Sequence, residues 1–161
     1  MMSQLHQAFG VYGIYTSDKS DLLVIHKTDG PYQHRYDLPG GTPEDFEGSQ
    51  TTLSREFREE TGLRPMSVQQ LGLKSFCYPW IFEQTTFNQH RALFYRVNSV
   101  TGALLEQTQQ FEGQDSAGAT FIKLEALNSE NASPLVLTAK AYLETHTFDD
   151  SDMTLEHWTV L

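Results

Sequence analysis

One glycine, Gly41, is followed after five residues by Glu47 and after seven more by the run Arg55-Glu56-Phe57-Arg58-Glu59-Glu60-Thr61-Gly62-Leu63, and no other stretch constrains this 161-residue chain as tightly. Ser49 is placed to cap a helix, Leu53 and Phe57 form an i, i+4 apolar stripe, and Gly62 can close the helix in a left-handed turn. The pattern predicts a helix over Gln50 to Thr61. At 100° per residue from Leu53, Glu60 falls near about 340°, Glu56 near about 300° and Glu59 near about 240°. Three carboxylates then share one arc of the helix.

Like charges at these separations cost an isolated helix roughly 0.2 to 0.5 kcal/mol each, so the arc calls for a compensating charge. A hard divalent cation suits it, because magnesium takes oxygen ligands and keeps sites open for water and substrate phosphates. Such a cation neutralises a phosphoanhydride, polarises its phosphorus and lowers the pKa of an attacking water, and a neighbouring carboxylate can then take the proton. Gly40-Gly41 allows a turn in which the Gly40 carbonyl approaches the metal with no side chain in the way. Arg55, near about 200° on the same wheel, faces Glu59 and the loop carrying Glu47, and can orient a carboxylate by a charge-assisted bond.

Elsewhere, Phe9 to Tyr15 and Leu22 to His26 read as two strands joined by the polar turn Thr16 to Asp21, an antiparallel hairpin. Tyr36 to Leu38 is a short extended run ending at Pro39-Gly40-Gly41. Val68 to Phe76 and Arg91 to Val97 read as strands around a loop containing Pro79, Thr120 to Leu124 reads as a later strand, and Asn98 to Gly118 is ambiguous. Ser133-Pro134 has the order of a helix start, with the helix over Leu135 to Thr145. The acids of Phe148 to Asp152 read as solvated, while Leu155, Trp158 and Val160 carry enough apolar surface to dock at a place the sequence does not specify. Strands followed by separated helices indicate either an α+β fold or a layered α/β/α sandwich.

A formal charge of -10 repels nucleic acid and polyphosphates unless cations intervene, which argues against nonspecific nucleic-acid binding. One cysteine, Cys77, rules out an intramolecular disulfide, and its aromatic neighbours mark it as a packing residue, which suits a reducing cytoplasm. No apolar run approaches the roughly 20 residues that span a bilayer, and the start lacks a leader pattern, so neither membrane anchoring nor secretion is expected.

A solvated acidic helix is the simple alternative for an EExxE-like face, but seven fixed residue types at average frequencies match by chance on the order of 10⁻⁸ per position. The stretch Gly41 to Leu63 resembles the Nudix box, with its Gly, Glu, Arg-Glu, Glu-Glu and Gly at every interval. Leu38-Pro39-Gly40-Gly41 resembles the usual lead-in and Thr120 to Leu124 the late strand. The resemblance implies a Nudix α/β/α sandwich with a mixed β-sheet between helices, spanning residues 1–161 as one hydrolase domain. It implies Glu56, Glu59 and Glu60 as metal ligands with the Gly40 carbonyl, Glu56 as a candidate base, supporting roles for Arg55 and Glu47, and Mg2+ as cofactor with Mn2+ as a substitute. Phe57 departs from the family's aliphatic residue, on the core side of the helix.

Many members of that family add an acid from a later loop, for which Asp115 and Glu112 are candidates. His26, Lys27, His34 and Arg35 form a basic cluster suited to terminal phosphates, and Arg35, Tyr36, Tyr78 and Trp80 are candidate substrate-binding residues. Pro79, sixteen residues beyond Leu63, has a spacing resembling the proline of ADP-sugar pyrophosphatases, but a single proline reads first as a turn residue. The expected function is metal-dependent cleavage of a pyrophosphate bond in a nucleoside diphosphate linked to another group, such as a nucleoside triphosphate or nucleotide sugar. The alternative is a non-catalytic Nudix-fold nucleotide-sensing or binding module. A homodimer is compatible with the sequence.

Overall fold

The computed structural model describes residues 4–105 and 115–161. Its elements in chain order are β1 (Leu5–Ile14), β2 (Leu22–Lys27), β3 (Tyr36–Asp37), β4 (Gly40–Gly41), α1 (Ser49–Thr61), β5 (Leu63–Phe82), β6 (Thr85–Gly102), β7 (Ser116–Ile122), a 3-10 turn (Leu124–Ala126), α2 (Pro134–Thr145) and β8 (Met153–Thr154). A five-stranded mixed sheet runs β4-β1-β6-β5-β8, and a three-stranded antiparallel sheet runs β3-β2-β7.

Strand alternation sends side chains to both faces, and each face is covered by one helix. Val11, Leu23, Ile25, Tyr95 and Val97 pack with Leu53 and Phe57 of α1. Tyr12, Ile14, Leu22, Val24 and Phe94 pack with Leu135, Val136 and Ala139 of α2. The expected α/β/α sandwich is therefore present. Phe57 is fully buried, on the core side as expected.

The expected hairpin between the first two strands is corrected. One bridge, Thr16 to Leu22, and the Leu23 N–H to Tyr15 carbonyl bond join them, after which they diverge into different sheets. β1 uses its edges on β4 and on β6, with which it pairs in parallel from Leu5–Phe87 to Ile14–Arg96. β2 has both faces buried and lies between β3 and β7.

The expected loop around Pro79 is also strand. The aromatic run from Phe76 to Phe82 belongs to β5, where Pro79 pairs with Phe87 beside a register irregularity and beyond Cys77, where pairing with β8 ends. A ring without an N–H is tolerated at such a place. The C-terminal segment docks on the same strand: Met153 and Thr154 pair with Phe76 and Cys77, and the Trp158 indole N–H donates to the Pro31 carbonyl at 2.8 Å.

Both helix starts have local causes. Ser133 caps α2 by accepting the Val136 N–H at 3.2 Å, with Pro134 in the first turn. For α1 the cap is Gly48, one residue ahead of the expected Ser49, whose hydroxyl is instead 2.8 Å from that of Tyr95. Gly62 ends α1 at φ 78°, its N–H donating to the Arg58 carbonyl at 2.8 Å.

Alanine at position 62 would combine a left-handed backbone with a Cβ 2.4 Å from the Ala103 carbonyl oxygen. Gly62→Ala is expected to cost at least about 1 to 3 kcal/mol, measured as a lower urea midpoint at unchanged m-value.

Candidate functional site

The end of α1 lies against the glycine turn at β4. Glu60 is 2% exposed and its Oε1 accepts the Gly40 N–H at 2.8 Å. One turn earlier, the Glu56 carboxyl carbon lies 2.7 Å from where a Cβ would stand at position 41. A Cβ there would push the Glu56 carboxylate out of this position, which gives Gly41 a steric role distinct from its neighbour's.

Arg55 organises the outer side of this face. Its Nε and Nη2 donate to the two Glu47 oxygens at 2.7 and 2.8 Å, Nη1 donates to Glu56 at 2.9 Å and Glu59 at 3.4 Å, and Nη2 also reaches the Thr42 carbonyl. The hydrogen bonds from Arg55, followed by that from the Glu44 amide, hold the Glu47 carboxyl down to about 2. Geometry thus brings Glu47, Arg55, Glu56, Glu59 and Glu60 together as the helical wheel anticipates.

Burial pushes Glu56 up to about 7, against the opposing pull of Arg55, while Glu59 and Asp115 raise it further. Burial also drives Glu60 well above the ordinary carboxylate range, with Lys27 opposing and Glu56 and Asp115 adding to the rise. These acids feel one another and resist simultaneous ionisation. Among the described residues, no three Asp, Glu, His or Cys side chains converge as a ready-made metal cluster. The donor chemistry nevertheless fits an open magnesium site: hard carboxylate oxygens whose burial opposes charge, a penalty that a cation relieves.

Beside the turn opens a cavity of about 280 Å3, whose wall includes Tyr12, Lys27, Asp37, Trp80, Asn88 and His90. Lys27 forms an ion pair with Asp115 at its edge. Glu112 lies outside the described residues. Of the four proposed substrate-facing residues, Trp80 lines this cavity and stacks on Phe82 at 4.7 Å. Tyr78 is in the core, its hydroxyl accepting from Asn88 at 2.8 Å. Tyr36 packs its ring beside His26, and Arg35 lies over Trp158 and lines a different cavity. The basic cluster is accordingly dispersed, with Lys27 alone of its four members lining the cavity beside the turn.

Residues that sequence reasoning did not single out form much of the wall. His90 has both ring nitrogens engaged, Nε2 with the Tyr12 hydroxyl at 2.9 Å and Nδ1 with that of Tyr32 at 2.8 Å. A neutral ring serves one as acceptor and the other as donor. Asn88 links Tyr78 to His6, whose Nδ1 is 2.8 Å from Oδ1. The available signal was the period of β6, which turns Asn88 and His90 to the same buried side as Ala92 and Phe94. Asp37 is buried, accepts the Ser133 hydroxyl at 2.6 Å and is raised to about 6 by burial, with Lys27 opposing.

Asp37 and His90 carry opposite proton linkage. Between about 4 and 6 the folded Asp37 retains a proton that the unfolded chain has released, so its contribution to stability falls as pH rises. Burial lowers His90 to about 4, so the unfolded chain takes up a proton first as pH falls below 6.5, and the His90 contribution rises with pH. Each amounts to roughly 3 kcal/mol at full extent, and the two largely cancel. Glu56 and Glu60, also raised, add falling slopes that both proteins share, so Asp37→Asn is expected to shift the slope of stability against pH in the positive direction relative to the wild type between about pH 4 and 6, as measured by urea unfolding of both proteins across that range.

The NUDIX domain model matches residues 4–144. An ADP-ribose pyrophosphatase of Methanocaldococcus jannaschii is 38% identical over 71 residues, an alignment spanning 44% of this chain and 41% of that protein. The match thus spans less than half the relative's length. The MutT NUDIX hydrolase of Burkholderia pseudomallei superposes with a TM-score of 0.65 at 18% identity, covering 84% of this chain and 97% of that one. The NUDIX domain of Shewanella oneidensis NrtR, in complex with ADP ribose, gives 0.65 at 17% identity, covering 88% and 90%. At these identities the structural likenesses establish the fold. Among the described residues no helix is long and apolar enough to cross a membrane.

Proposed function

This chain belongs to the NUDIX domain family, and from that premise we propose that it is a divalent-metal-dependent pyrophosphohydrolase acting on a nucleoside diphosphate linked to a second group. The observation that carries the reading is the half-buried Glu56 and the buried Glu60, two carboxylates held against Gly40-Gly41 beside a cavity large enough to admit part of a nucleotide. The engagement of both termini of the described chain with one sandwich supports treating residues 1–161 as one such domain.

Glu56, Glu59 and Glu60, with the Gly40 carbonyl, would hold the cation, Mg2+ or in its place Mn2+. When bound, it supplies charge neutralisation for the pyrophosphate and acidifies water. Glu56, set against Gly41 and hydrogen-bonded by Arg55, is the candidate base. Arg55 keeps the Glu47, Glu56 and Glu59 carboxylates oriented, and Lys27 brings a cation to the cavity edge where phosphate oxygens would enter. Asp115, paired with Lys27, is positioned to assist as the additional acid. Trp80 offers a ring face to a base. The ADP-ribose relatives make ADP-ribose the first compound to assay, ahead of nucleoside triphosphates. The single cysteine supports a cytoplasmic setting.

A panel of ADP-ribose, nucleotide sugars and nucleoside triphosphates, incubated with Mg2+ and scored for phosphate-terminated products, tests the activity. Turnover is expected on at least one diphosphate-linked compound and is lost in excess chelator. Tight binding of ADP-ribose with no turnover on any compound would instead identify a sensing module. Glu56→Gln is expected to lower kcat by roughly 10² to 10⁴, as loss of a general base does. A variant within threefold of wild type would remove Glu56 from that role.

A further inference from the structure

The cavity beside the glycine turn, at about 280 Å3, is smaller than the roughly 300 to 1,000 Å3 of pockets that enclose a whole small ligand, so a nucleotide linked to a second group must extend past it. Trp80 marks where. It lines that cavity and also a cleft of about 450 Å3 whose other described wall residues are Pro79, Ile81, Trp158 and Val160. The two spaces adjoin at one indole ring.

Ring contacts fix which face of that indole is free. Phe82 stacks on one side, with centroids 4.7 Å apart and planes 8° from parallel. His6 stands steeply to both rings, 5.4 Å from Trp80 and 5.2 Å from Phe82. The three distances form a nearly equilateral triangle, which puts His6 beside the stacked pair and not above the far side of Trp80. No other ring among the described residues meets this indole. The face turned away from Phe82 is therefore the one left to line the two spaces.

The cleft differs in chemistry from the cavity it adjoins. None of its described side chains is charged or accepts a hydrogen bond, and of its two indole donors that of Trp158 is already given to the Pro31 carbonyl at 2.8 Å. Such a surface suits the neutral aromatic part of a nucleotide and not its phosphates. A ring held by stacking is accepted whatever its edge carries, because every base has a π face.

We infer that the nucleobase of the substrate lies in this cleft, stacked on the open face of Trp80 and walled by Trp158 and Val160 of the C-terminal segment, and that the cleft takes adenine and guanine alike. The identity of the ligand rests on the pyrophosphohydrolase reading. The base subsite is measured apart from that reading, because a nucleoside monophosphate has no anhydride to cleave.

AMP and GMP are the probes, ribose 5-phosphate the control without a base, and 1H–15N NMR of the full chain with Mg2+ the readout. Saturable AMP-dependent shifts are expected at both indole N–H groups, because Trp158 lines the cleft and is absent from the wall of the cavity beside the turn. AMP should bind at least tenfold tighter than ribose 5-phosphate and within fivefold of GMP. Trp80→Phe keeps a ring and should hold AMP within threefold of wild type, whereas Trp80→Leu should weaken it at least tenfold. Where the leucine variant fails to fold, the ligand series and the phenylalanine variant still decide. No saturable AMP shift, ribose 5-phosphate binding within tenfold of AMP, a wider gap between AMP and GMP, or shifts at Trp80 alone would each overturn the assignment. Intact AMP shifts with no turnover in the substrate panel would remove the hydrolase reading and uphold the base subsite.

Discussion

The contact between the end of α1 and the glycine turn determines the position of everything else in the site. Glu60 accepts the Gly40 amide, and the Glu56 carboxylate lies where a Cβ at position 41 would push it aside. Helix and turn are thereby pinned at two points one helical turn apart, and β4 carries that registration into the main sheet through β1. The same closeness shuts water from Glu60 and thins it around Glu56. Their elevated proton affinities and their fixed positions are therefore one fact seen twice: the packing that orders the acids is what makes their charge expensive. Arg55 compensates the outer side of the face, where it meets Glu47, Glu56 and Glu59, and does not reach Glu60. Inside, Lys27 is the main opposing charge.

What was legible in the sequence is what depends on local spacing. The acidic arc, the Phe57 core position, the left-handed end at Gly62 and the Ser133-Pro134 start of α2 all follow from interactions between residues a few positions apart. Strand partnership does not. The turn after Thr16 looks like a hairpin because it is one for a single bridge, but β1 gains ten paired positions with β6, about eighty residues away, and no local pattern encodes that choice. Pro79 failed as a loop marker for a related reason. A proline is excluded from a strand only where its missing N–H would be needed, and that depends on where β8 stops.

The polar wall of the cavity shows the same limit in chemical form. Asn88 and His90 are unremarkable residues in a strand until β1 supplies Tyr12 and the loop before β3 supplies Tyr32. Burial and the nearby Lys27 keep His90 neutral, and the two hydroxyls satisfy the ring nitrogens of the uncharged form. Asp37 balances the wall from the other side, sharing its buried carboxylate with the Ser133 hydroxyl that caps α2. A change at Asp37 therefore reaches the helix start as well as the cavity, and substitutions there couple stability to the electrostatics of the site.

Arg35 and Asp37, two residues apart, end in different cavities, and the short β3 between the loop and the glycine turn makes this possible. Tyr36 is held on both sides, its N–H by the Asn131 carbonyl and its own carbonyl by the Ser133 amide, so the strand is fixed to the start of α2. From that fixed point Arg35 reaches the C-terminal segment and Asp37 reaches Ser133. Trp158 then joins the two regions from the outside: Arg35 lies on its ring, its indole N–H holds Pro31, and its edge meets Tyr32, a wall residue of the cavity beside the glycine turn. The C-terminal segment is in this way a structural part of the site, although its residues lie far from the box in sequence. Shortening the chain before Trp158 would remove the ring contact that backs Tyr32, the residue whose hydroxyl meets His90 Nδ1.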